Sequence, residues 1–156
     1  MSDIPTIKVK RIGNHTLPVP SRAHDDDAGL DLRYAGEKPV TLWPARCGCA
    51  GWNAAWLPVG FAFAIQSGYE GQVRGRSGLA KKRGVVAFHP VGTVDASFRG
   101  EVHVALINHG EVPLTIEHGD RIAQLVIAPV SLASCEEGDL DETTRGAGGF
   151  GSTGVK

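Results

Sequence analysis

Short runs in which apolar and polar residues alternate recur along most of the chain. The clearest are IKVKRI (7–12), FAFAI (61–65), GQVRGR (71–76), EVHVALIN (101–108), PLTIE (113–117) and RIAQLVIAPV (121–130). A period of two sends successive side chains to opposite faces, so each run predicts a strand. Turn residues separate them at Ser67-Gly68, Arg99-Gly100, His109-Gly110 and His118-Gly119-Asp120. The intervals are roughly the 8–12 residues of an all-β sandwich or barrel. No long stretch with the helical period competes.

One short helix is expected in RSGLAKKRG, with Ser77 as N-cap, Leu79 to Arg83 as its body and Gly84 as the residue that ends it. After Val130 the alternation dissolves into a polar, glycine-rich tail that is flexible by composition. The expected organisation is one β domain over 1–135 and a C-terminal arm over 136–156. The tryptophan-bracketed stretch WPARCGCAGWNAAW (43–56) predicts a long loop packed on the body and offers no chemistry.

Composition narrows the function classes. A chain of 156 residues with 42% apolar content suits one domain with a sizeable core. Its net charge is −1 with both signs interspersed, so it lacks the basic footprint of a nucleic-acid or anionic-membrane binder, and any phosphate contact must be local. No apolar run reaches membrane-spanning length, and MSDIPTIKVKRI carries charges where a signal peptide needs an apolar core, so a cytoplasmic location is expected. Cys47, Cys49 and Cys135 are odd in number and lack paired zinc-ligand spacing, which argues against a disulfide framework or a structural zinc site. The six histidines show no metal-binding spacing, and neither G-x-S-x-G nor H-E-x-x-H occurs.

Several short segments carry candidate chemistry. GAGGFGST (146–153) has the glycine spacing of a P-loop but lacks its lysine and its strand and helix context, so it is not a Walker motif. Its glycines, hydroxyls and the neighbouring Arg145 still suit a polyphosphate, and Phe150 could lie over a base; a plain flexible tail has the same composition. In RSGLA (76–80), an arginine and a serine at a helix start suit a phosphate or an ordinary capped turn. Gln124 in GDRIAQL is expected on the same strand face as Ile122 and Val126, where it bonds something specific or is a satisfied core glutamine. In VGTVDASFRGEV (91–102), two strands flanking a hairpin place Asp95 near its start, as a cleft carboxylate or as an Asx-type turn. Asp31, between Leu30 and Leu32, requires a partner or a cation if buried.

Taken in order, AGLDL (28–32), RSGLA (76–80), GTVDASFRG (92–100), GDRIAQL (119–125) and RGAGGFGSTG (145–154) resemble the five motifs of the trimeric dUTP diphosphatases, the dUTPases. One such motif is weak, but five in order are specific. The resemblance implies a jelly-roll β fold and a homotrimer with active sites shared between subunits. It implies conversion of dUTP to dUMP and pyrophosphate, which cleans the nucleotide pool and supplies the precursor of dTMP. By the same resemblance Asp95 is the general base that activates water for attack on the α-phosphorus. Mg²⁺ rides mainly on the phosphates, with Asp31 reaching it through water. Arg76, Ser77, Gly78 and Gln124 are the implied phosphate contacts, and the hairpin from His89 to His103, including Gly92, Thr93 and Val94, is the implied uracil reader. Arg145, Ser152 and Thr153 are implied to clamp the γ-phosphate from a closing arm, with Gly151 among its substrate-binding residues, and Phe150 to stack on the base.

Some positions depart from the family pattern. Phe98 stands where a tyrosine usually packs under the deoxyribose, which keeps the ring and loses the hydroxyl. His89 replaces a common asparagine, and Gly75 a frequent proline. The related dCTP deaminases depend on a glutamate in the third motif, but here Asp95 is followed by Ala96 and Ser97.

Overall fold

In FAFA a large ring alternates with a methyl, and the structure buries three of the four residues: Phe61, Ala62 and Phe63 are all nearly inaccessible. Such a short apolar run can be covered on both faces only inside a layered β structure. The computed structural model describes residues 6–45 and 54–149. It contains eleven strands and one short helix among those residues.

The strands are β1 (Lys8–Arg11), β2 (Gly29–Arg33), β3 (Val40–Leu42), β4 (Ala55–Pro58), β5 (Phe61–Ala64), β6 (Tyr69–Gly75), β7 (Val85–Ala87), β8 (Val91–Val94), β9 (His103–Asn108), β10 (Leu114–Ile116) and β11 (Arg121–Pro129); helix α1 is Ser77–Arg83. A four-stranded antiparallel sheet has the order β2-β11-β6-β8, and a three-stranded one the order β4-β9-β7. Two ribbons, β1-β5 and β10-β3, complete the layers. The core between them is mainly aliphatic, with the rings of Tyr34, Phe61 and Phe63 among it: Leu32, Leu57, Phe63, Leu106, Ile122 and Leu125 are each at most 1% exposed. This is the all-β sandwich that the alternation predicts, of the jelly-roll type that the family resemblance implies.

All six predicted strands are present, most of them trimmed at the ends. Predicted as a loop, 43–56 instead contributes the start of β4. Its bracketing rings stay largely exposed, Trp43 at 64% and Trp56 at 59%. Residues 46–53, with Cys47 and Cys49, lie outside the described residues, while Cys135 is exposed.

Helix α1 begins one residue earlier than expected. Arg76 is the N-cap, with the extended backbone of β6 (φ −97°, ψ 127°), and its carbonyl accepts from the N–H groups of Leu79 and Ala80. Ser77 is therefore the first helical residue, and no side chain caps the helix. The far end matches expectation. Gly84 has φ 68°, and a Cβ there would lie 2.6 Å from the Gly110 nitrogen, so both conformation and space require glycine.

Asn108 is the buried polar residue of the core. Its amide donates to the carbonyls of Leu42 and Val112, each at 2.9 Å, and its oxygen accepts from Gly110 N–H at 2.8 Å. Asn108→Ala leaves those backbone groups unpartnered, so a loss of about 2–4 kcal/mol in unfolding free energy is expected, measured as a lower urea midpoint. Tyr34, also buried, donates from its hydroxyl to the Lys38 carbonyl at 2.7 Å; burial raises its pKa, so it remains a neutral donor.

Candidate functional site

The two strands around the predicted hairpin do not pair with each other. β8 is an edge strand hydrogen-bonded to β6, whereas β9 runs in the middle of the other sheet. The connection from Asp95 to Val102 thus crosses between sheets. It starts with a turn in which Phe98 N–H bonds the Asp95 carbonyl at 3.0 Å, and it ends where Val102 N–H bonds the Phe61 carbonyl at 3.0 Å. A cavity of about 430 Å³ is lined from both sheets, by residues of β8, of β9 and of the connection between them. An unpaired strand edge presents N–H and C=O groups to whatever fills the space beside it.

Small and apolar residues, among them Ala87, Gly92, Val94 and Ala105, line this cavity, with Asp95 and Phe98 on its wall. Asp95 is exposed to the cavity, and no hydrogen bond or ion pair holds its carboxylate among the described residues. Phe98 is 43% exposed; a Cβ on Gly100 would sit 2.6 Å from its ring, so a glycine lets the ring fold back over the turn. Thr93, His89 and His103 complete the set of predicted residues found here.

A second, polar cavity of about 240 Å³ lies on the β2/β11 side of the four-stranded sheet. Asp31, Arg76, Ser77, Gly78 and Gln124, widely separated in sequence, all line it. The register explains their meeting: Asp31 pairs with Gln124, and Gln124 with Arg74, across β2, β11 and β6, and β6 leads directly into α1. Asp31 has the partner its position demanded. Its carboxylate meets Arg121 at 3.0 Å and Arg76 at 3.5 Å, with 18% of the side chain exposed.

Gln124 does not share a face with Ile122. A β-bulge between Arg121 and Ala123 inserts Ile122 as an extra residue and turns it into the core, fully buried. Gln124 is left on the cavity side, donating to the Gly75 carbonyl at 3.2 Å. Gly29 makes room for it, since a Cβ there would be 2.3 Å from the Gln124 amide oxygen.

No residue lines both cavities: one is built around β8, the other around β2 and β11, and β2 and β8 are the two edge strands of their sheet, roughly 14 Å apart by strand spacing. Arg145 lines neither. Its guanidinium donates to the Gly148 carbonyl at 2.8 Å within a local turn. Phe150, Gly151, Ser152 and Thr153 lie outside the described residues. Among the described residues, no three His, Cys, Asp or Glu side chains form a metal-binding group, and no helix is long and apolar enough to cross a membrane.

Arg121, Glu101 and Trp56 are polar or aromatic lining residues that the sequence motifs do not mark. Arg121 was detectable in principle, as the only cation in GDRIAQL. Glu101 and Trp56 carried no local signal; Glu101 accepts from Gly60 N–H at 2.8 Å, a contact across 41 residues.

A β-sandwich with an apolar slot beside an edge strand and a separate cavity lined by arginines offers one surface suited to a flat apolar group and another suited to an anion. Comparison with known proteins agrees. The dUTPase family matches residues 15–154, so the chain belongs to the dUTPase family. It is 48% identical to the deoxyuridine 5'-triphosphate nucleotidohydrolase of Maricaulis maris, covering 100% of both chains. The namesake protein of Caulobacter vibrioides is 52% identical, over 99% of this chain and 100% of the relative. Among solved structures, the dUTPase of Staphylococcus bacteriophage 80alpha with dUPNHPP superposes with a TM-score of 0.80 at 28% identity, covering 97% of this chain and 100% of that one.

Proposed function

We propose that this member of the dUTPase family hydrolyses dUTP to dUMP and pyrophosphate, and that it does so as a homotrimer. The observation that carries the reading is the separation of the two cavities. An apolar slot lined by Asp95 and a polar cavity with two arginines on the β2/β11 side form one site when different copies supply them. In this arrangement the pyrimidine lies along β8, where the backbone of Gly92, Thr93 and Val94 reads its edge, with His89 and His103 flanking it. Phe98 packs under the sugar, and its missing hydroxyl leaves selection against ribose to shape. Arg76, Ser77, Gly78 and Gln124 of a neighbouring copy hold the phosphates.

The Asp95 carboxylate takes a proton from a water aligned with the α-phosphorus as that water's oxygen forms the new P–O bond and pyrophosphate departs. Mg²⁺ fits this donor set as an ion carried by the phosphates: Asp31 is already engaged by two arginines, which suits contact through water better than direct chelation. When bound, the ion supplies charge neutralisation at the phosphate oxygens. The arm over 136–156 forms the lid, with Arg145, Gly151, Ser152 and Thr153 at the γ-phosphate end and Phe150 on the base. In the cell the same reaction lowers dUTP and supplies dUMP for dTMP.

A panel of dUTP, dCTP, dTTP and UTP with Mg²⁺ tests the reading. Pyrophosphate release is expected from dUTP, with the other three poor substrates. Ammonia from dCTP would instead select a deaminase, and sedimentation of the purified chain should give three copies per particle.

A further inference from the structure

Trp56 is a large apolar side chain that the core does not use. On β4 its neighbour Leu57 is buried and anchors the strand, and alternation turns the indole outward at 59% exposure. It stands opposite Ala105 of β9, whose carbonyl accepts from Phe88 N–H at 2.8 Å. The three-stranded sheet therefore sets Trp56, Ala105, Ala87 and His89 together on the wall of the apolar cavity. There the indole meets the His89 imidazole edge-to-face, with ring centroids 5.6 Å apart and an interplanar angle of 83°. Phe88 contacts the same imidazole at 5.5 Å.

No hydrogen bond to the His89 ring nitrogens occurs among the described residues, so aromatic contacts alone orient the imidazole. A ring nitrogen of a neutral imidazole donates or accepts according to the tautomer, a pattern that suits one polar atom on the edge of a pyrimidine. An exposed histidine without such a neighbour spreads over several rotamers and presents that pattern only part of the time.

We propose that Trp56 is a positioning residue for base selection: its indole holds the His89 imidazole on the cavity wall so that a ring nitrogen meets the base. The proposal rests on the apolar cavity being the base pocket. The role is specific to the ring, because the quadrupole that favours the edge-to-face pair is absent from an aliphatic side chain.

Steady-state kinetics of the full-length chain on dUTP and dCTP test it, with W56A, W56L, W56F, H89A and the W56A/H89A double variant. W56A and W56L are expected to raise KM for dUTP about five- to tenfold with kcat within about twofold, and to narrow the preference for dUTP over dCTP by a similar factor. W56F should recover most of the loss. The double variant should be no worse than H89A, because Trp56 acts through His89. Losses that multiply in the double variant, or a W56L enzyme with unchanged KM, overturn the proposal; W56L and W56F retain bulk and keep the test usable if W56A does not fold. Absence of pyrophosphate release from dUTP by the unsubstituted chain would sink the functional reading itself, a result distinguishable before any variant is made.

Discussion

Asp95→Asn is expected to lower turnover of dUTP by about 10³-fold or more while leaving nucleotide affinity within a fewfold of the unsubstituted protein. The amide has nearly the same shape as the carboxylate but cannot take a proton, and a positioned general base contributes roughly 10²–10⁴ to rate. The side chain carries no structural hydrogen bond or ion pair among the described residues, so stability should not change. Pyrophosphate release gives the rate, and calorimetric titration with a non-hydrolysable dUTP analogue gives the affinity. Turnover that survives the substitution would move the base to another group; lost binding would make Asp95 a ligand contact instead. Its position favours the first role, because the turn that opens with the Asp95 carbonyl holds the carboxylate at the mouth of the slot, beside Phe98.

Ending the chain after Thr144 should produce an equally large separation, here between activity and stability. The last strand closes at Pro129, and residues 130–147 are exposed without a helix or strand. Removing the end takes nothing from the core, so the melting temperature is expected to move by less than about 2 °C. Turnover should fall by about a hundredfold or more, because the truncated chain loses Arg145 and the glycine-rich segment proposed to close over the phosphates. Melting and pyrophosphate release on the same preparation provide the check. A truncated chain that unfolds would make the tail a structural element, and one that keeps full activity would remove the lid.

Much of the architecture was legible because it depends on local periodicity. The runs at 61–65, 101–108 and 121–130 alternate strongly enough to predict strands, and all three lie in the structure with small changes at their ends. The strands β2, β3 and β7 were missed for one reason. Each has three to five residues and owes its regular form to a partner distant in sequence, as Val40 does to Ile116 and Val85 to Asn108. The hairpin around Asp95 failed for the complementary reason, since adjacency in sequence suggested a pairing that the structure gives to β6 on one side and to β4 and β7 on the other.

The candidate site divides along the same line. Residue chemistry alone marked Arg76 and Ser77 as suited to an anion, Asp31 as needing a partner or a cation, Gln124 as bonding something specific and Asp95 as a carboxylate near a turn, while the phosphate roles of Gly78 and Gln124 came only with the family resemblance. It could not orient Gln124, because one extra residue at Ile122 reverses the face of every position before it relative to every position after. It also could not see that Trp56 and Glu101 reach the slot, since those contacts span 33 and 41 residues, to His89 and Gly60 respectively.

What the sequence determined by itself is the class of elements and the chemical inventory, because alternation, turn residues and side-chain types act within a few residues of one another. The tertiary structure alone decided which edges stay unpaired and on which sides of the sheet the two cavities open. Those outcomes follow from register and sheet order, which are set by the packing of buried side chains drawn from the whole chain.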